Sequence, residues 1–254
     1  MSLLWPETIS AGLFPNQCWI RRGASTFDSA APAGLDSGTW LEKLETLLDE
    51  QSNKVRKRSG LQLVVSDSLC RLAVLPWQSE VRAEAEVRAY AQACFAGQGS
   101  MIEAGWVMQA GFRHFQAAGL AYAIPEAWLL RLLELTQRRG LRLRSVMPAS
   151  AAAYWQLSSR DQAPYLLMLA EERRVTGQIY QRGRFIAMDV QPIMGDFAGA
   201  STRLIQRIAS AYQAVDRVLL WSPESLQQSF APSLGKALPE VPVQHLKKHV
   251  WTCG

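Results

Sequence analysis

One pattern constrains this chain more than any other: three short extended runs joined by tight turns, followed by alternating helical and extended segments, occurring twice. The second copy is the clearer. Residues 165–170, 175–181 and 184–192 are rich in β-branched, aromatic and other apolar residues, and Arg182-Gly183 supplies a compact hairpin connection between the last two runs. The first copy reads at residues 2–5, 9–14 and 17–22, with turns at Pro6-Glu7 and Pro15-Asn16. A meander that feeds β–α units builds a mixed sheet with helices packed on it. Two copies in 254 residues predict an α/β protein with two such sheets. The halves share no sequence period, so the repetition is one of structure only.

Between the meanders the helical signals are the sharpest. Thr39 and Glu42 have the spacing of a capping box, and Trp40, Leu41, Leu44, Leu47 and Leu48 then form one apolar stripe. Further helices are predicted over residues 79–95, stopped by Gly97 and Gly99, and over 126–139, with Leu129, Leu132 and Leu133 on one face and Gly140 after the C-cap. Two more are predicted over 150–157 and over 197–214, the latter turning Leu204, Ile205, Ile208 and Tyr212 inward. Residues 61–65 and 69–75 flank a turn at Ser66-Asp67-Ser68 and read as a strand pair. Runs at 106–111, 120–124, 141–146, 218–221 and 241–246 complete the strands.

Composition excludes several classes of function. With 48% apolar and 19% charged residues the chain folds rather than staying disordered. No run approaches the roughly 20 apolar residues that cross a bilayer, and the first 14 residues lack the basic and apolar regions of a signal peptide, so a cytoplasmic protein is expected. Cys18, Cys70, Cys94 and Cys253 show no CxxC spacing and read as core or near-core thiols. His114, His245 and His249 are dispersed; no Cys or acidic residue adjoins the last two, so they read as surface histidines and no metal is expected. The net charge of +5 includes one dense run, Lys54-Val55-Arg56-Lys57-Arg58. Without interleaved aromatics it reads as a solvated loop, with contact to acidic lipid or an acidic partner as the competing reading. Nucleic-acid binding would show as a salt-sensitive DNA shift abolished by changing Lys54, Arg56, Lys57 and Arg58, and is not expected.

Two meander-led halves facing each other across a cleft are the arrangement of the actin, Hsp70 and sugar-kinase superfamily. The middle of the chain narrows the analogy. An extended segment from Leu120 to Pro125-Glu126, an amphipathic helix, Gly140-Leu141, a run ending in Met147-Pro148 and an Ala-rich segment resemble the type IV pilus protein PilM and the cytoplasmic part of the type II secretion protein GspL. In those proteins a strand ends in Pro, a helix follows, and a Gly-Leu turn leads to a strand ending near another Pro. Ser66-Asp67-Ser68 with residues 72–77, the helix over 80–95, and Met194-Gly195-Asp196 before a helix are similar to further family segments, so the resemblance covers about residues 2–221.

The resemblance implies an actin-like ATPase (ribonuclease H-like) fold. A first half at 1–160 would contain an inserted small subdomain at about 66–118, and a second half would span 161–254. It also implies a partner. PilM-like proteins sit on the cytoplasmic side of the inner membrane and bind a short N-terminal tail of the membrane protein PilN, whereas GspL-like proteins carry their own span and hold the secretion ATPase. A PilN-like tail or a pilus or secretion ATPase is therefore the expected partner, with peripheral location at the inner membrane. PilM is the closer comparison unless the sequence is a cytoplasmic part of a longer protein.

Actin-like proteins hold ATP with two hairpin loops that offer Asp and Gly to the phosphates, Gly so that backbone N–H groups come close and Asp to position Mg²⁺. The first loop is expected at residues 4–11, where Pro6 removes a donor and no Gly, Asp or Lys stands. The second is expected at 169–174, where Glu171 and Glu172 stand in place of Asp-x-Gly. Trp221-Ser222-Pro223-Glu224 replaces the Gly-rich adenine segment. No cofactor and no catalytic residue is therefore assigned. Glu171 and Glu172, adjacent on an extended chain, point apart and read as hairpin charges rather than an acid–base pair. Asp67 has no positioned His and reads as a turn residue. Nine tryptophans supply contact material. Leu72, Pro76 and Trp77, at the entrance to the inserted subdomain, are the candidate partner-binding residues, Trp77 also being readable as core. A divergent ATP-binding ATPase or kinase is the alternative.

Overall fold

The first strand buries both of its faces. In the computed structural model, which describes residues 8–23, 25–30, 37–51, 59–156, 163–212, 215–222 and 241–246, β1 (Thr8–Phe14) turns Ile9, Ala11 and Leu13 to one side and Ser10, Gly12 and Phe14 to the other. It pairs antiparallel with β2 (Gln17–Arg22) across Pro15-Asn16, and β2 pairs antiparallel with β3 (Ser25–Ala30). On its other side β1 runs parallel to β4 (Gly60–Val65), which runs parallel to β8 (Arg142–Pro148). The sheet order is β3-β2-β1-β4-β8.

The second sheet repeats this plan. β9 (Tyr165–Ala170), β10 (Arg174–Gln181) and β11 (Arg184–Pro192) form an antiparallel meander. β9 is then parallel to β12 (Arg217–Trp221), and β12 to β13 (Val243–His245), giving β11-β10-β9-β12-β13. The third sheet is small: β5 (Arg71–Leu75), β7 (Gly119–Pro125) and β6 (Trp106–Gly111) in the order β5-β7-β6, all antiparallel.

Helices cover these sheets as their apolar faces dictate. α1 (Ser37–Glu50) buries Trp40, Leu41, Leu44, Leu47 and Leu48 against the first sheet, the stripe that helical periodicity predicts. α3 (Glu126–Arg138) lies beside it, and Arg139 joins the two by pairing with Asp49 and, at 2.9 Å, Glu45. α2 (Glu84–Gly97) sets Ala91 and Phe95 on the small sheet. α5 (Phe197–Ala211) packs Phe197, Ala200, Leu204 and Ile208 on the second. α4 (Ala149–Gln156) is sandwiched between the two large sheets. Its Ala149, Ala151, Ala152 and Ala153 are fully buried, and their small side chains let Phe14 and Val64 of one half share a core with Leu167, Leu169 and Trp221 of the other. No helix among the described residues is long and apolar enough to cross a membrane.

Several expectations are corrected. A strand that the sequence reading did not include, β3, follows β2: Gly23, at φ +55°, makes the turn into it. Residues 2–5, the basic run at 54–58, His249 and Cys253 lie outside the described residues. α1 begins at Ser37, so Thr39 stands inside it and not at its N-cap. α2 begins at Glu84, with Glu86 accepting from the Ala83 N–H at 2.9 Å. α3 buries Trp128, Leu132 and Leu135, leaving Leu133 exposed and Leu129 half-buried. α5 stops before Tyr212, which is exposed. β4 and β5 do not pair, because a 3₁₀ turn over Asp67–Leu69 carries the chain out of the large sheet and into the small one.

Candidate functional site

The cleft between the two halves is built from two turns, the start of α4 and strand β10. After β4, Ser66 donates its backbone N–H to the Leu13 carbonyl at 2.8 Å, and its hydroxyl accepts from the Ser68 N–H at 3.1 Å, which shapes the 3₁₀ turn and aims Asp67 across the cleft. Asp67 Oδ1 accepts the Ser150 N–H at 2.9 Å, at the N-terminus of α4. Its Oδ2 accepts from the Ser150 hydroxyl and, at 3.4 Å, from the Thr176 hydroxyl of β10. From the other half, Glu171 in the β9–β10 turn accepts the Asp67 N–H at 3.0 Å and the Ser66 hydroxyl. Arg174 completes the ring, donating to the Asp67 carbonyl at 2.9 Å. The chain of bonds runs on through Gln178, which donates to the Ser150 carbonyl at 2.8 Å, to the Tyr180 hydroxyl.

The centre of this network is out of reach of solvent: Ser66, Asp67 and Ser150 are 0% exposed and Glu171 2%, while Arg174 is half-buried. Burial, and the Asp67 carboxylate beside it, push Glu171 up to about 7, against the opposing pull of Arg174 and of the bonds from Ser66 and the Asp67 N–H. Burial, Asp67 and Glu171 likewise drive the Cys70 thiol well above its ordinary range, which makes it an unreactive core group. Glu171 is thus not an ordinary hairpin charge, and Asp67 is more than a turn residue. They are the two halves of one buried junction.

Aromatic rings also meet between the two large sheets. Phe14, at the end of β1, meets Trp221, at the end of β12, with centroids 5.0 Å apart. Trp19 lies flat on Gly12, directly opposite in register: a Cβ built at Gly12 would be 2.2 Å from the indole. The hairpin that the first phosphate loop should form is at Pro15-Asn16, not at residues 4–11; the stretch from Phe14 to Cys18 also has no Gly, Asp or Lys. No group of three or more His, Cys, Asp or Glu side chains among the described residues is placed to hold a metal ion.

An open site lies elsewhere. A cavity of about 370 Å³ separates the edge strand of the first large sheet, β8, from the edge strand of the small one, β6. Val107 and Gln109 of β6, Tyr122 and Ile124 of β7, Leu129 of α3, and Leu143, Arg144 and Val146 of β8 line it. The register between β4 and β8 skips Arg144, and this bulged residue lays its side chain along Gly60, where a Cβ would come within 2.9 Å of it. The result is an apolar groove with a cation at its side and a strand edge on each bank.

The candidate residues do not gather in this groove. Leu72 stands opposite Tyr122 in the β5–β7 register, on the sheet face that carries the groove. Pro76 and Trp77 lie past the end of β5. There the Trp77 ring packs edge-on against Phe112 and Phe115, at 5.2 and 5.1 Å, and the Pro76 carbonyl accepts from the Tyr90 hydroxyl. Sequence reasoning missed the groove residues, whose only local signal was the Pro148 and Gly60 punctuation around two unremarkable strands.

No family model matches this sequence, and no curated protein does. Solved structures are similar to it in fold. The PilM–PilN type IV pilus biogenesis complex superposes with a TM-score of 0.69 at 12% identity, over 95% of this chain and 88% of the other. A protein of actin-like ATPase fold and unknown function from Bacteroides thetaiotaomicron gives 0.62 at 12%, over 94% and 90%. The cytoplasmic domain of EpsL, an inner membrane component of the type II secretion system of Vibrio cholerae, gives 0.54 at 10%, over 97% and 91%. The chain has the actin-like fold.

Proposed function

We propose that this protein is a non-catalytic actin-like scaffold of a type IV pilus or type II secretion assembly platform. It works at the cytoplasmic face of the inner membrane by binding the cytoplasmic tail of a membrane partner. The observation that carries this reading is the pairing of a closed cleft with an open groove. Where the fold family places nucleotide, buried carboxyl groups disfavour a polyanion and the Phe14 and Trp221 rings meet. Where the first half (residues 1–160) meets its inserted subdomain (about 66–118), an apolar channel lies between two strand edges that have no partner strand among the described residues. The fold shared with PilM and EpsL supports the setting. The second half, 161–254, holds the first through α4 and the cleft.

The groove suits an extended apolar segment added to a strand edge, its side chains alternating between the channel and solvent, with a carboxylate of the segment meeting Arg144. Leu72 borders the channel, while Pro76 and Trp77 would contact whatever follows the segment. The test is fluorescence anisotropy of labelled peptides from the N-terminal tails of PilN-like proteins. Binding should weaken about tenfold or more with Leu129→Glu and severalfold with Arg144→Glu, while Glu80→Gln, outside the groove, leaves it unchanged. Tail binding that ignores both groove substitutions, or no binding of any tail, rejects this function.

A further inference from the structure

We propose that Glu171 is a proton-operated latch: protonated, it holds the two halves closed at the 3₁₀ turn, and ionised, it releases that turn together with the inserted subdomain that leaves from it. The geometry places one side chain of the second half across two groups of the first, the Asp67 N–H at 3.0 Å and the Ser66 hydroxyl, with no solvent between. The groups facing Glu171 are few. Asp67 and Cys70 come from the 3₁₀ turn and its exit, Arg174 from β10, and Glu172 and Arg173 flank it on its own turn. Ser150 and Thr176 add hydroxyls to Asp67 rather than to Glu171. Two buried carboxyls therefore face one half-buried guanidinium, which is itself bonded to the Asp67 carbonyl, so a proton on one of them balances the site. When Glu171 carries it, the bond that Ser66 donates to the ionised carboxylate reverses: Oε2 donates to Ser66 Oγ, the Ser66 hydrogen turns to Ser68 Oγ at 2.7 Å, and Oε1 goes on accepting from the Asp67 N–H.

The consequence for the fold runs through position. β5 begins at Arg71, one residue after Cys70, whose N–H donates to the Asp67 carbonyl at 3.1 Å. Freeing Asp67 therefore loosens the joint on which the small sheet is mounted. The sign follows from linkage: a carboxyl held at about 7 in the closed state, against 4.5 in water, makes closure take up a proton. Closure is strongest below pH 4.5, weakens by up to roughly tenfold per pH unit as pH rises towards 7, and levels off above it.

The experiment is hydrogen–deuterium exchange of the full chain from pH 5 to 8, corrected for intrinsic rates, beside a carbon-13 NMR titration of its glutamate carboxyls. Protection of residues 66–75 and 170–176 should fall with rising pH while that of residues 9–22 stays constant. Glu171→Gln, which keeps the protonated form's hydrogen-bonding pattern, should hold the low-pH protection at every pH. One glutamate of the wild-type chain should titrate near 7 and be missing in the variant. A Glu171→Gln protein with the wild-type pH slope overturns the latch. So does a wild-type chain whose glutamates all titrate near 4.5, a result that needs no variant to fold. Neither readout involves a partner tail, so the latch and tail binding fail separately.

Discussion

Replacing Asp67 by Ala removes the centre of the cleft junction, and the size of the effect can be worked from its bonds. The carboxylate accepts the Ser150 N–H at 2.9 Å, the Ser150 hydroxyl, and the Thr176 hydroxyl at 3.4 Å, with no water available to replace it. Loss of the acceptor at the start of α4 costs about 1 kcal/mol. Two buried hydroxyls without a partner add about 1–3 kcal/mol together. Removing the charge beside Glu171 returns on the order of 1 kcal/mol. The net is about 1–3 kcal/mol, or a fall in Tm of roughly 2–12 °C for a chain of this size. Asp67→Asn keeps one acceptor, and the hydroxyls of Ser150 and Thr176 can rotate to receive its amide, so it should cost about 1 kcal/mol. Urea titrations followed by circular dichroism measure both. If instead the junction were an acid held against its own preference for binding a ligand, Asp67→Ala would be neutral or stabilising. A Tm within a degree of wild type would refute the structural role assigned to Asp67.

Two further outcomes are expected. Gly12→Ala drives a Cβ into the Trp19 indole and should lower stability by about 2 kcal/mol or more, with a shift in tryptophan emission that Gly97→Ala, where a Cβ has open space, does not cause. Tyr154→Phe removes the acceptor of the Arg113 N–H (2.6 Å) and the donor to the Ala118 carbonyl (3.3 Å), which together tie the 113–118 loop to α4. It should cost about 1–2 kcal/mol and speed amide exchange in that loop.

What could be read in advance follows the range of the interactions involved. The second meander, the β1–β2 hairpin of the first, the Trp40 to Leu48 stripe and the Gly140 stop, observed at φ +65°, are set by neighbours within a few residues, and they were legible as sequence. β3 was not: Ser-Thr-Phe-Asp-Ser-Ala on a sheet edge has too few apolar side chains to announce itself. α3 carries Trp128, Leu129, Leu130, Leu132, Leu133 and Leu135, which make two overlapping stripes, and only the partner α1 selects between them. The junction was the hardest to read. Asp67 and Glu171 stand 104 positions apart, so a carboxylate that looks like a hairpin charge becomes a buried tie only once both sheets are folded. The groove is similar, since its banks are edges of two different sheets.

The most direct measurement is a calorimetric titration of the purified protein with Mg²⁺-ATP, with thermal melting alongside. A cleft closed by Phe14, Trp221 and the Asp67–Glu171 junction predicts no heat of binding and no shift in Tm. Micromolar binding with a raised Tm would contradict it, and would put a nucleotide-driven protein in place of the scaffold.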